Sequence, residues 1–209
     1  MRPKETKLKI YLPQISIFQL HSVFLVHSFL WTGCKQAESE TPTLFTKRDS
    51  SSTGISFSNQ LKESVSFNIL SYLYYYNGGG VALGDVNNDG LLDIYFSANE
   101  ASNKLYLNQG NLQFKDVTQD AGVEGQQAWT TGVSMADVNG DGWIDIHVSQ
   151  LGGFEGMKGS NQLYINQQDG TFLDRAPEYG LDFSGFSTQA AFFDYDADGD
   201  LDMYLLTHS

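Results

Sequence analysis

Oxygen-bearing side chains recur at fixed spacing in three nine-residue segments, which begin at Asp85, Asp137 and Asp194. Each segment places Asp or Asn at positions 1, 3, 5 and 9 and glycine at position 6. Ca²⁺ is a hard cation that takes about 6–8 oxygen ligands, so a short acidic turn can wrap one ion. The predicted side-chain ligands are Asp85, Asn87, Asp89 and Asp93 in loop one (85–93), Asp137, Asn139, Asp141 and Asp145 in loop two (137–145), and Asp194, Asp196, Asp198 and Asp202 in loop three (194–202).

Position 7 of each loop is expected to add a main-chain carbonyl, from Leu91, Trp143 and Asp200, because the glycine before it permits a sharp bend at positive φ. In loop three Asp200 also carries a further carboxylate. The sequence therefore predicts about three structural Ca²⁺ ions. Ordinary turns are the alternative, since Asp and Gly are common in turns. Three copies in matching contexts favour metal binding.

The residues on the C-terminal side of each loop exclude an EF-hand. That motif needs a bidentate Glu at position 12 and helices on both sides. Position 12 is Phe96, Val148 or Leu205 here, and none of these side chains binds a cation. The flanking segments are short and rich in β-branched and aromatic residues, which is typical of strands. Each unit is therefore predicted to be strand, acidic loop, strand.

The similarity between units continues beyond the loops. Asn103-Lys-Leu-Tyr-Leu-Asn108 comes after loop one, and Asn161-Gln-Leu-Tyr-Ile-Asn166 comes after loop two. The loops begin at residues 85, 137 and 194, and a repeat of roughly 50 residues with about four short strands is typical of propeller blades. A β-solenoid or a sandwich is the alternative.

These motifs carry a family resemblance over about residues 53–209. The string D-x-[DN]-x-D-G-x-x-D between two strands, followed by N-x-L-Y-x-N, resembles the FG-GAP/VCBS repeats of integrin-like β-propellers. The run from Tyr76 to Asp85 is particularly similar to bacterial ASPIC/UnbV and CRTAC-type repeat proteins. The resemblance implies an all-β, Ca²⁺-stabilised propeller displayed outside the cytoplasm. It also implies that the calcium loops are structural and lie away from the main ligand surface.

The number of repeats predicts an incomplete propeller of about two and a half blades. Propellers have about 4–8 blades, whereas two units and the start of a third are present before Ser209. We therefore expect the chain to be truncated, with further repeats or other domains encoded beyond it.

The charge balance is acidic, with 25 Asp and Glu against 12 Lys and Arg and a net charge of −13. A chain of this kind with no basic stripe is not expected to bind nucleic acid. Without metal the loop carboxylates repel one another, so metal binding is expected to couple to folding.

The N-terminus resembles a bacterial export signal. A basic start, an apolar stretch near 15–31 and Gly33-Cys34 predict a lipoprotein signal peptide at 1–33. Cys34 is then the acylated residue that anchors the chain to a membrane, and 34–52 is a flexible tether. Ordinary secretion and an uncleaved membrane anchor are the alternatives. The expected location is the outer membrane or cell surface, or the secreted fraction.

No catalytic residues are predicted. His147 and His208 are the histidines outside the signal, and the sequence has no G-x-S-x-G nucleophile elbow. Gly78–Gly80 lacks the Lys-Ser/Thr of a phosphate-binding loop and predicts a tight entry into the first blade instead. The segment 57–76 is expected to supply a strand that starts or closes the propeller.

Aromatic residues before the first loop and in the second unit offer stacking platforms for sugars, although packing between blades is the favoured interpretation. They are Tyr72, Tyr74, Tyr75, Tyr76, Trp129 and Trp143. The predicted function is adhesion, or binding of a glycan or protein ligand at the cell surface. The alternative is the non-catalytic N-terminal part of a larger polysaccharide-processing protein whose active site lies in sequence beyond residue 209.

Overall fold

The computed structural model describes residues 44–126 and 128–208. The predicted signal peptide and Cys34 lie outside these residues. Contacts divide the chain into Met1–Thr46 and Lys47–Ser209, and every named strand belongs to the second unit. Within the described residues, no helix has the length and apolar character needed to cross a membrane.

In the part of the chain that the structure describes, ten strands form three antiparallel sheets, which are two four-stranded blades and a two-stranded third blade. Within each sheet, strands that are consecutive in the chain lie side by side, as the repeat predicts. The strands are β1 (Val81–Gly84), β2 (Asp93–Phe96), β3 (Lys104–Asn108) and β4 (Phe114–Asp116) in blade one, β5 (Thr130–Ala136), β6 (Asp145–Gln150), β7 (Gln162–Asn166) and β8 (Phe172–Asp174) in blade two, and β9 (Ser187–Phe193) and β10 (Asp202–Thr207) in blade three.

Within the described residues, three one-turn helices accompany the strands. Helix α1 (Ser50–Thr53) precedes blade one and includes the last residues of the predicted tether, while α2 (Thr118–Ala121) comes after β4 and α3 (Ala176–Tyr179) comes after β8. The prediction of an all-β fold made of incomplete propeller blades is confirmed. The acidic loops are the connections from β1 to β2, β5 to β6 and β9 to β10, so one strand pair holds both ends of each loop.

The first strands of the blades lie next to one another, and glycine permits their close approach. A Cβ atom at Gly132 on β5 would lie 2.3 Å from the carbonyl oxygen of Thr188 on β9. A Cβ atom at Gly80, just before β1, would lie 2.8 Å from the amide nitrogen of Val133. Side chains larger than hydrogen are therefore excluded where the inner strands meet.

Side chains that alternate along the strands fill the spaces between blades. Tyr95, Val133 and Ile146 are buried in the core between blades one and two. Between blades two and three, the ring of His147 packs edge-on against Phe192 at a centroid distance of 5.7 Å. Tyr204 occupies in blade three the strand position of His147 and is 63% exposed, because no further blade covers it within the described residues.

The prediction of a strand within residues 57–76 is wrong, because 57–64 have no regular secondary structure and 65–76 form mainly bends and turns. Its serine and asparagine side chains bond the local backbone instead. The amide of Phe67 donates to Ser64 Oγ (2.9 Å), and the amide of Asn68 donates to Ser71 Oγ (3.0 Å). Such bonds compete with strand pairing. The first residues of the segment cover blade one through side chains, since Phe57 stacks on Phe96 at 4.8 Å.

The glycine run at 78–80 forms the tight entry into β1 that the sequence predicts. A Cβ atom at Gly79 would lie 2.0 Å from the carbonyl oxygen of Ser97, the residue that follows β2. Main chain therefore fills the space that a phosphate-binding loop would leave for its ligand.

Candidate metal centre

The carboxylate at position 1 organises each of the first two loops. Asp85 accepts the amides of Asp89 (3.0 Å) and Gly90 (2.7 Å) on its two oxygens. Asp137 does the same for the amides of Asp141 (3.0 Å) and Gly142 (2.8 Å). The backbone of each loop is thus folded around its first carboxylate, which places an acidic group inside the turn.

Left-handed backbone occurs at positions 4 and 6 of all three loops. Position 6 is glycine, with φ of 85°, 85° and 98° in loops one, two and three. Position 4 is Asn88 (57°), Gly140 (71°) and Ala197 (63°). The glycine at position 6 was expected, but the second left-handed residue was not. Asn and Gly tolerate this conformation, so two of the three loops carried a sequence signal for it.

The carboxylate at position 9 fastens the first two loops to the body of their blades. Asp93 and Asp145 are both fully buried. Asp93 Oδ2 accepts the amide of Val86 (3.0 Å) and Oδ1 accepts the amide of Asn108 (2.8 Å). Burial raises the pKa of both carboxyl groups, and these hydrogen bonds to the charged form offset part of the effect. A nearby cation would stabilise the charged form of a buried carboxylate of this kind.

Positions 3 and 5 lie close enough to share hydrogen bonds. Asn87 Nδ2 donates to Asp89 Oδ2, and Asn139 Nδ2 donates to Asp141 Oδ2, both at 3.0 Å. The amides at position 7, from Leu91 and Trp143, donate to the other oxygen of the position 5 carboxylate. The carbonyls at position 7, including that of Asp200, remain predicted ligands.

Loop three gathers carboxylates most closely. Oxygen atoms of Asp194, Asp196 and Asp202 lie within 4.8 Å of one another, and all three residues are exposed. Asp198 and Asp200 also interact. The Asp200 amide lowers the pKa of Asp198, whereas the hydrogen bond and negative charge of Asp198 raise the pKa of Asp200. Five acidic residues in nine therefore crowd this loop.

The donor set fits a hard divalent cation. Positions 1, 3, 5 and 9 carry only Asp and Asn, whose oxygens suit Ca²⁺. An ionised carboxylate has about four lone-pair sites, so an oxygen that accepts one amide can still bind a metal. Both ion pairs of the described residues, Lys104–Asp116 and Arg175–Glu178, lie outside the loops. Within these residues, no lysine or arginine neutralises the loop carboxylates.

Two asparagines outside the loops position them, and the sequence reasoning missed this role. Asn108 and Asn166 end β3 and β7, and their amides reach Asp93 and Asp145 at position 9. The side chain of Asn166 also donates to the carbonyl of Val86 in blade one (2.8 Å). The sequence did contain a signal for this role, because both asparagines end the repeated N-x-L-Y-x-N string.

The loops lie within repeats that match a known family. The family model for the FG-GAP-like repeat matches residues 85–148 and 152–205, which is more than half of the chain. The chain belongs to the FG-GAP-like repeat family. The first match begins at Asp85, the first residue of loop one, and the second contains the whole of loop three.

Similarity to named proteins is confined to part of the chain. It is 33% identical to cartilage acidic protein 1 of Mus musculus over 91 residues, which are 44% of this chain and 13% of the mouse protein. It is 35% identical to the Xenopus tropicalis protein of the same name over 72 residues, 34% of this chain and 11% of that protein. The human protein of the same name is 31% identical over 91 residues, which are 44% of this chain and 13% of the human protein. The aligned segment thus spans a small part of these relatives.

Proposed function

We propose that this FG-GAP-like repeat chain is a calcium-stabilised propeller module that binds a glycan or protein ligand at the cell surface. The observation that carries the calcium assignment is the convergence of Asp194, Asp196 and Asp202, whose oxygens lie within 4.8 Å of one another. Loops one and two have the same left-handed backbone at positions 4 and 6 as loop three, and they carry Asn at position 3. In this proposal the ions hold the turns and take no part in catalysis.

Electrostatics supports the assignment. Carboxylates a few ångströms apart repel one another, and a bound cation converts that repulsion into attraction. The nearest side-chain donors are neutral amides, such as Gln168 Nε2, which donates to Asp141 at 3.3 Å. Because the carboxylates converge only in the folded loops, metal affinity and folding stability should be coupled.

The lack of enzymatic activity is part of the proposal. In the described part of the chain, His147 is buried with both ring nitrogens unpartnered, and His208 contacts the hydroxyl of Tyr72 at 3.0 Å. Neither histidine is paired with a serine nucleophile there. Export, with Cys34 as the acylated membrane anchor, is proposed on the basis of the N-terminal sequence.

Thermal unfolding tests the calcium assignment. At a free Ca²⁺ concentration 100-fold above Kd, each occupied site should stabilise the folded chain by about 2.7 kcal/mol. We expect the Tm, measured by circular dichroism, to rise with Ca²⁺ and to fall on addition of EGTA, with a smaller response to Mg²⁺. A Tm that does not change when EGTA is added would contradict the assignment of the loops as calcium sites.

Matched variants locate the effect. Asp194→Asn removes one of the three converging carboxylate charges, at a position that is Asp in all three loops, and should reduce the calcium-dependent shift. Asp182→Asn removes an exposed carboxylate outside the loops, so it should leave the shift unchanged. Equal responses in the two variants would indicate a general charge effect and contradict a specific site.

A further inference from the structure

We propose that a cavity of about 250 Å³, at the end of the blades away from the acidic loops, binds a neutral sugar ring. Its lining includes Gly78 just before β1, Thr131 at the start of β5 and Thr188 at the start of β9. The acidic loops leave the opposite ends of these strands. The inference deepens the ligand-binding part of the proposed function and does not depend on calcium.

Aromatic rings form the walls of the cavity. Tyr72 and Trp129 are nearly buried, at 4% and 5% exposure, and line it from within. Tyr74 and His208 are half-buried, with ring centroids 4.0 Å apart. The faces of aromatic rings carry negative potential, which is complementary to the polarised C–H bonds on one face of a pyranose. A cavity of this size accommodates one ring rather than a long chain.

Unused polar groups complete the lining. Within the described residues, the side chains of Thr188 and Asn77 make no hydrogen bond, and both residues line the cavity. A ring with several hydroxyl groups can pair with both side chains while it stacks on the aromatic walls.

Among the described residues, the lining carries no acidic or basic side chain apart from His208. Burial lowers the pKa of His208, which favours its neutral form. An anionic ligand would meet no counter-charge there, and it would approach a chain of net charge −13. A cationic ligand would find no carboxylate in this lining. A few polar groups on an otherwise aromatic surface are the usual pattern of a site for a neutral ligand.

Saturation-transfer NMR on the calcium-loaded chain tests the inference. The probes are the methyl pyranosides of glucose, galactose, mannose and N-acetylglucosamine, with adenosine as a planar comparison. We expect transfer to at least one glycoside, with stronger transfer to ring C–H protons than to the methyl group. No transfer to any glycoside, or transfer to adenosine alone, would overturn the inference.

Three variants separate a site from nonspecific contact. Tyr74→Ala should weaken glycoside binding at least tenfold. Thr188→Val keeps the shape of the side chain and removes the hydroxyl, so it should weaken binding without unfolding the blade. Tyr179→Ala removes an aromatic that is 42% exposed in α3, outside the cavity lining and the acidic loops, and should leave binding unchanged. Equal affinities in all three variants would contradict the site.

The outcome is independent of the calcium result. Glycoside binding that persists in EGTA while the chain remains folded would support this site even if the chain bound no metal. Calcium binding in a folded chain that binds no glycoside would overturn this site and leave the calcium assignment intact.

Discussion

The side-chain amide of Asn166 in blade two donates to the main-chain carbonyl of Val86 in loop one, at 2.8 Å. The bond belongs to a continuous series. The amide of Asn166 donates to Asp145 at position 9 of loop two (2.9 Å), and the amide of Val86 donates to Asp93 at position 9 of loop one (3.0 Å). Two buried carboxylates in neighbouring blades are therefore connected through two residues, Asn166 and Val86.

Asn166→Ala should destabilise the folded chain by about 1–3 kcal/mol, because it leaves the buried carbonyl of Val86 without this donor. Asn108→Ala is the matched control, since among the described residues the side chain of Asn108 donates to the carbonyl of Leu92 (3.0 Å) and accepts from the amide of Gly110 (2.9 Å), both in its own blade. We expect the larger loss for Asn166→Ala in urea unfolding at saturating Ca²⁺. An equal or larger loss for Asn108→Ala would show that the inter-blade bond contributes little.

Gly132→Ala should destabilise the chain by about 1–3 kcal/mol through overpacking. The added Cβ meets the side-chain oxygen of Gln189 at 2.1 Å and the main-chain oxygen of Thr188 at 2.3 Å. Only the first contact can be relieved by side-chain movement. The loss should therefore persist when the substitution is made in a Gln189→Ala background. Full recovery of the urea midpoint in that background would mean that the inner strands can separate.

Ala197→Gly should stabilise loop three by about 0.5–1 kcal/mol, because alanine at a φ of 63° is strained and glycine is not. The reverse exchange in loop two, Gly140→Ala, should destabilise by a similar amount at a φ of 71°. Calcium-dependent melting of both variants measures the effect. Shifts of the same sign would contradict the left-handed geometry assigned to position 4.

The stability of the chain should fall in mild acid because of His147. Burial lowers the pKa of this imidazole to about 4, from 6.5 in the unfolded chain. Below pH 6.5, therefore, His147 becomes protonated in the unfolded chain but stays neutral in the folded chain. The free energy of unfolding decreases as pH falls towards 4, by on the order of 3 kcal/mol in total.

His147→Leu removes this contribution while it keeps an apolar group against Phe192. The difference in unfolding free energy between the two proteins should change in favour of the variant as pH falls from 7 to 4. Carboxylate titration affects both proteins and cancels in the difference. A difference that does not vary with pH would show that His147 is accessible to protons in the folded chain.

The sequence predicted features that depend on short segments, but not contacts between residues that are far apart in the chain. The acidic loops and their strands were evident because ligand spacing and strand alternation are properties of short segments. The bond from Asn166 to Val86 joins residues 80 positions apart, so only the packing of blades brings it about. The left-handed backbone at Ala197 could not be predicted from the sequence, because alanine is not typical of that conformation. The segment 57–76 was misjudged, because its apolar residues suggested a strand while its Ser and Asn side chains bonded the local main chain.

Calorimetric titration of the metal-free chain with Ca²⁺ tests the central claim most directly. The three loops predict binding of about three ions, and urea unfolding at each stage of the titration should show increased stability. An absence of binding heat, together with an unfolding curve that Ca²⁺ and EGTA leave unchanged, would contradict the claim that these loops are calcium sites.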